Sequence, residues 1–193
     1  HYTVTSDGTT CRLYIDGTIQ PNSVSVNPGA AGSSFHSCAL GSQGGSQAPN
    51  FLFGGAMAEV CVFNYALSPN QVAYLNLLGN PMVISGAEPI CYWSLGGNSI
   101  VGENDFAQFL EGEYFSAPNI SQGAGSVYQI DGSNSQYGIL GSVQKLKVSN
   151  SSKYTMSIWY SAEGSANAQG GVIGYNFANP NGGGFYIWRN ANA

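Results

Sequence analysis

The chain has 193 residues, 43% hydrophobic and 12% aromatic, enough apolar material for one large β-domain or two small ones. Only 8% of residues are charged, against roughly 25% in ordinary soluble domains, so the surface must be covered by Ser, Asn, Gln, Gly and Thr. A net charge of −5 with no basic cluster excludes nucleic acid as a partner, and no apolar run is long enough to span a bilayer.

In chain order, Arg12-Leu13-Tyr14-Ile15 is the first clear strand, flanked by the turn dipeptides Asp7-Gly8 and Asp16-Gly17. Val60-Cys61-Val62-Phe63 is the second. Ser68-Pro69-Asn70-Gln71-Val72-Ala73-Tyr74-Leu75 follows as the one helical segment. Ser68 suits an N-cap, and Pro69 suits the first helical position because its missing N–H has no partner to lose there. Val72, Leu75 and Leu78 recur at three-residue spacing and predict a docking face, and Gly79-Asn80-Pro81 ends the helix. Residues 81–89 read as a linker. Beyond it, residues 154–160 and 185–188 are aromatic, β-branched strand runs bounded by Gly, Asn and Ser. Residues 1–80 and 90–193 do not repeat one another; they read as complementary halves.

Phe53-Gly54-Gly55-Ala56-Met57-Ala58-Glu59-Val60-Cys61-Val62-Phe63-Asn64-Tyr65-Ala66-Leu67-Ser68-Pro69 joins a strand, an Asn turn and a Ser-capped helix at fixed spacing. It resembles the last strand of laminin-G-like, concanavalin-A-like jelly rolls. Residues 1–8 with Leu13-Tyr14-Ile15-Asp16-Gly17 resemble the central hairpin of that family. Cys91-Tyr92-Trp93-Ser94-Leu95, Tyr128-Gln129-Ile130-Asp131-Gly132-Ser133 and Tyr154-Thr155-Met156-Ser157-Ile158-Trp159 resemble its opening strands. The resemblance implies an all-β, antiparallel two-sheet jelly-roll sandwich with its halves in permuted order: residues 1–80 close a domain and residues 90–193 open one. It further implies that the strand near Trp93 pairs with the strand near Val60. One permuted domain, one period of a tandem array, and halves exchanged between chains all fit that order. The implied function is an extracellular structural or adhesive repeat, or a subunit of a filamentous assembly. Its partners would be copies of itself or adjacent repeats, held by strand pairing between complementary halves. The alternative is a carbohydrate-binding, lectin-like module with glycans as partners.

Cys11, Cys38, Cys61 and Cys91 are too far apart for a metal knuckle and read as disulfide cysteines of an oxidising compartment. The resemblance puts Cys11 with Cys38 in one hairpin and Cys61 with Cys91 in the last and first strands. Two sequons, at Asn119 and Asn150, agree with a secreted or cell-surface glycoprotein. The chain begins without Met or a signal peptide and reads as a mature or excised piece. Trp159, Tyr186 and Trp188 are the candidate ligand-binding residues, a platform on which pyranose rings would stack.

No catalytic residues are expected. There is no Gly-x-Ser-x-Gly elbow, and His1 and His36 are the two imidazoles. Glu111 with Glu113, and Glu103 with Asp105, have the two-residue spacing of a glycosidase pair but sit between strands, where solvated loop carboxylates are ordinary. No metal site is expected either. Calcium remains open through Asp7, Asp16, Asp105 and Asp131, although three of these stand before Gly as turn pairs do.

Overall fold

In the computed structural model the described residues are 1–21, 24–25, 38–40, 54–79, 81, 84, 86, 88–93, 113–115, 120–121, 127–131, 137–139, 153–162, 170–175 and 185–189. The chain opens with a meander. Strand β1 (Tyr2–Ser6) runs antiparallel to β2 (Thr10–Ile15), with Val4 opposite Leu13. Asp7 holds the turn between them: its Oδ1 accepts from the Thr9 and Thr10 amides at 3.0 and 2.9 Å, and its Oδ2 from Arg12 at 2.7 Å. Asp16 and Gly17, at φ 48° and 76°, form the two-residue turn into β3 (Thr18–Ile19). Two successive left-handed residues match the twist of a tight hairpin. Gly17 has a second duty. A Cβ there would come within 3.2 Å of Asn76 Cβ and 3.3 Å of Ala73 Cα, so the turn can lie against the helix only without a side chain.

Two antiparallel sheets organise the described strands. The nine-stranded sheet runs β3-β2-β1-β12-β6-β10-β9, with β4 (Val24–Ser25) added on β2 and β7 (Cys91–Trp93) on β6 (Gly54–Phe63). Its centre is β12 (Tyr154–Ala162), which pairs with β1 on one side and β6 on the other: Met156 lies opposite both Val4 and Val62. Beside β6 lie β7 and β10 (Val127–Asp131), and β10 carries β9 (Ile120–Ser121). The five-stranded sheet runs β14-β13-β5-β11-β8, namely Phe185–Arg189, Gly170–Tyr175, Cys38–Leu40, Tyr137–Ile139 and Glu113–Phe115. In both sheets, strands from residues 1–80 pair directly with strands from residues 90–193.

Val60 pairs with Trp93 as the resemblance implied, but inside one chain. Within the chain, β6 is bordered by β12, β7 and β10 from the second half.

Helix α1 (Pro69–Leu78) forms where the sequence predicts it. The Ser68 hydroxyl accepts from the Gln71 amide, the Gln71 side chain accepts from the Ser68 amide, and Pro69 opens the first turn. Gly79 closes the helix at φ 67°, its N–H donating to the Leu75 carbonyl at 2.9 Å. Val72 and Leu75 dock on a core of Tyr14, Cys61, Phe63, Leu67, Ile84 and Tyr92. Leu78 does not belong to the docked face; it is 44% exposed, because three further residues beyond Leu75 overshoot the contact on a 3.6-residue turn. The opposite face of the sheet buries Met57, Val60, Val62, Tyr154, Met156 and Ile158.

Candidate functional site

Alternation along the strands brings one unusual row together on the α1 face of the nine-stranded sheet. Tyr14 lies opposite Thr3, Thr3 opposite Ser157, Ser157 opposite Cys61, and Cys61 opposite Tyr92. Five adjacent strands thus contribute hydroxyl or thiol groups, all from buried residues. The middle is satisfied internally: Ser157 Oγ lies 2.9 Å from Thr3 Oγ1 and 2.7 Å from His1 Nε2. His1 Nδ1 is buried with no hydrogen-bond partner. One strand-residue further along, the Thr155 hydroxyl donates to the Tyr65 carbonyl at 2.9 Å and accepts from the Leu67 amide at 2.8 Å, tying the strand–helix connection to the sheet.

At the end of this row the register breaks. Ser157 faces Cys61 but Trp159 faces Ala58, so β6 carries one extra residue. That residue is Glu59, held at φ 52° in the left-handed region. Such a bulge re-aims a side chain. Here it turns a carboxylate onto the α1 face, where the Tyr92 hydroxyl donates to it. Glu59 is half-buried, and desolvation raises its pKa against the lowering pull of that hydrogen bond. Burial also drives the Tyr92 hydroxyl and the Cys61 thiol well above their ordinary values, so Cys61 is neutral and not a nucleophile. Trp159 is half-buried on the same face, its ring centroid 4.9 Å from that of His1.

The three residues of the expected aromatic platform lie on strands of two different sheets. Trp159 is on β12 of the nine-stranded sheet, whereas Tyr186 and Trp188 are on β14, the edge of the five-stranded sheet. Cys11 and Cys61 carry free thiols. Cys91 is the register partner of Val62, and Tyr92 that of Cys61. Cys11 lies on β2 with its Sγ 3.7 Å from the Tyr154 hydroxyl, while Cys38 is in the other sheet.

Asp7 and Asp16 are turn residues, engaged by Arg12 and by the His1 amino nitrogen respectively. Asp131 is the last residue of β10. Among the described residues no three His, Cys, Asp or Glu side chains converge as metal ligands would. Asn119, Asn150, Glu103, Asp105 and Glu111 lie outside the described residues; Glu113 opens β8. Sequence reasoning passed over Glu59, Tyr92, Thr3 and Ser157. A signal for Glu59 was there: it is the one charge in the ten-residue strand Gly54–Phe63.

Residues 1–73 match the model of the concanavalin A-like lectin/glucanases superfamily, in its laminin-G form. The match covers the β1–β2–β3 meander, β6 and the start of α1, the segments whose motifs carry the resemblance. Over these residues the chain fits a lectin-like or laminin-G-like module. No curated protein and no solved structure matches the chain. Among the described residues no helix is long and apolar enough to cross a membrane.

Proposed function

We propose that the chain is an extracellular, non-catalytic module of laminin-G type that acts in adhesion, its halves closing one permuted jelly roll within a single chain. The observation that carries this reading is the position of β12. A strand from the second half lies between β1 and β6, both from the segment that matches the lectin/glucanase superfamily. A fold completed in this way has no need of an exchanged partner. The polar, nearly uncharged composition favours hydrogen bonding to neutral hydroxyl-rich ligands over long-range electrostatic capture. Glycans are therefore the ligand class of this reading. Glu59, the half-buried carboxylate of the described site, has a neutral hydroxyl for its partner, which favours binding over glycoside hydrolysis.

Two measurements test the reading together. Light scattering behind size exclusion, with negative-stain microscopy of the same fractions, should give one monodisperse species of monomer mass; filaments would return the assembly to strand exchange between chains. A glycan array should show saturable binding without turnover. Release of reducing sugar from a bound glycan would make the module an enzyme.

A further inference from the structure

Strand β6 has one short stretch that its described neighbours leave open. On one edge β10 pairs with it as far as Met57, and β7 takes it up again at Val60. Ala58 and Glu59 fall in the gap between the two. On the opposite edge the register with β12 passes from Cys61 to Ala58, so the bulge falls at the same place. Among the described strands Glu59 thus has no register partner on either edge. Its backbone is left-handed at φ 52°, a conformation that is uncommon outside glycine and that clusters at ligand sites. The side chain at this notch is a carboxylate, and the hydroxyl of the buried Tyr92 donates to its Oε2. An ionised carboxylate has about four acceptor positions, and this bond fills one. Glu59 is half-buried, within reach of solvent but partly stripped of water. Desolvation raises its pKa in spite of the Tyr92 bond, so the ionised form gains from further donors.

We propose that the notch at Glu59 is a subsite for two adjacent hydroxyls of a neutral sugar, accepted by the carboxylate while Tyr92 keeps it aimed. This deepens the glycan reading and rests on it. Tyr92 shows the kind of donor that the carboxylate takes in this setting, a neutral hydroxyl, and a sugar diol extends that set. Two vicinal hydroxyls each donate to one carboxylate oxygen at about 2.7 Å. Such charge-assisted bonds are roughly twice as strong as neutral ones. Donors that meet the carboxylate away from bulk water gain further from the lower local dielectric. A ring with a single hydroxyl meets half of the requirement.

The test uses the whole chain and reads the Ala58, Glu59 and Val60 amides and the Glu59 carboxyl carbon by NMR. The probes are methyl α-mannopyranoside and methyl β-galactopyranoside, which carry vicinal hydroxyls. The controls are tetrahydropyran-2-methanol, a ring with a single hydroxyl, and Nα-acetyl-lysine methylamide. The expected result at neutral pH is a saturable shift by at least one glycoside and none by either control. Because the donors favour the ionised carboxylate, affinity should fall as Glu59 takes up its proton in acid. Among the described residues the titratable groups facing Glu59 are Tyr92 and Cys61, and burial keeps both protonated throughout. Glu59→Gln, which keeps an acceptor but loses the charge, should weaken binding about tenfold and abolish its pH dependence. Tyr92→Phe should weaken binding and leave the pH dependence in place, and serves if the first variant does not fold. The proposal is overturned if Glu59→Gln binds as the parent does, or if either control shifts the signals as strongly as the glycosides. A glycan that binds saturably on the array yet leaves these signals unmoved overturns the subsite and leaves the glycan reading standing. Binding of no glycan at all overturns both.

Discussion

Val60 on β6 and Trp93 on β7 are direct register partners within one chain, although they belong to different halves of the sequence. The strand that carries Val60 also depends on β12 and β10 from the second half. Residues 1–80 expressed alone should therefore lack the neighbours of β1 and of β6 and fail to fold. Mixing that fragment with residues 90–193 should restore β-sheet ellipticity in a one-to-one complex. Folding of residues 1–80 in isolation, seen as dispersed amide resonances, would contradict the interleaved sheet.

The buried row predicts a cost for Ser157. Ser157→Ala removes the group shared by Thr3 Oγ1 and His1 Nε2 and leaves both in a site that water does not reach. An orphaned buried polar group costs about 1–3 kcal/mol. Urea denaturation should show a lower midpoint at an unchanged slope. Replacing Ser157 and Thr3 together with apolar residues of similar shape should cost less than the sum of the two single changes, since the partners are removed as a pair.

Much of the fold was legible and part of the site was not, for reasons visible in particular residues. The Ser68 N-cap, the Asp16-Gly17 turn and the Val60–Trp93 pairing rest on local chemistry or on a family motif, and each is where the sequence places it. The face that Cys61 uses was not legible, because sequence does not fix register when a strand is apolar on both faces; the pairing of Cys61 with Tyr92 sets it. The sheet to which each aromatic strand belongs was hidden for a related reason. Periodicity gives the face of a strand and not the sheet to which the strand is added, so Trp159 and Trp188 could share a pattern without sharing a sheet. Glu59 was passed over because a bulge is invisible to strict alternation.

Helix α1 gives a prediction about local stability. Ser68→Ala removes one side of the reciprocal cap and should cost about 1 kcal/mol. Gly17→Ala should cost more than a surface Gly→Ala change, because it adds left-handed strain to a clash with Asn76 and the Ala73 backbone. Thermal melts of the two variants should both fall, and hydrogen exchange in Gly17→Ala should accelerate at the α1 amides. Leu77→Gln, at a position 76% exposed, should leave the melting temperature unchanged.

The two best-placed carboxylates should give stability opposite dependences on pH. Arg12 first, then the Thr9 hydroxyl and the Thr10 and Thr9 amides, hold Asp7 far below the ordinary carboxylate range. A group whose folded pKa is depressed contributes stability at pH values above its unfolded pKa, and that contribution is lost as the pH falls. Asp7→Asn should therefore flatten the acid side of the stability curve. Glu59 is shifted the other way, raised by desolvation. Its contribution is fully present below the unfolded pKa and is lost as the pH rises through the folded one, so the ionised carboxylate is a liability at neutral pH. Glu59→Gln should raise stability at neutral pH relative to the parent and converge with it in acid. Denaturation midpoints taken across the acid-to-neutral range would check both signs. A Glu59→Gln curve that runs parallel to that of the parent throughout would show that the carboxylate is not desolvated in the fold.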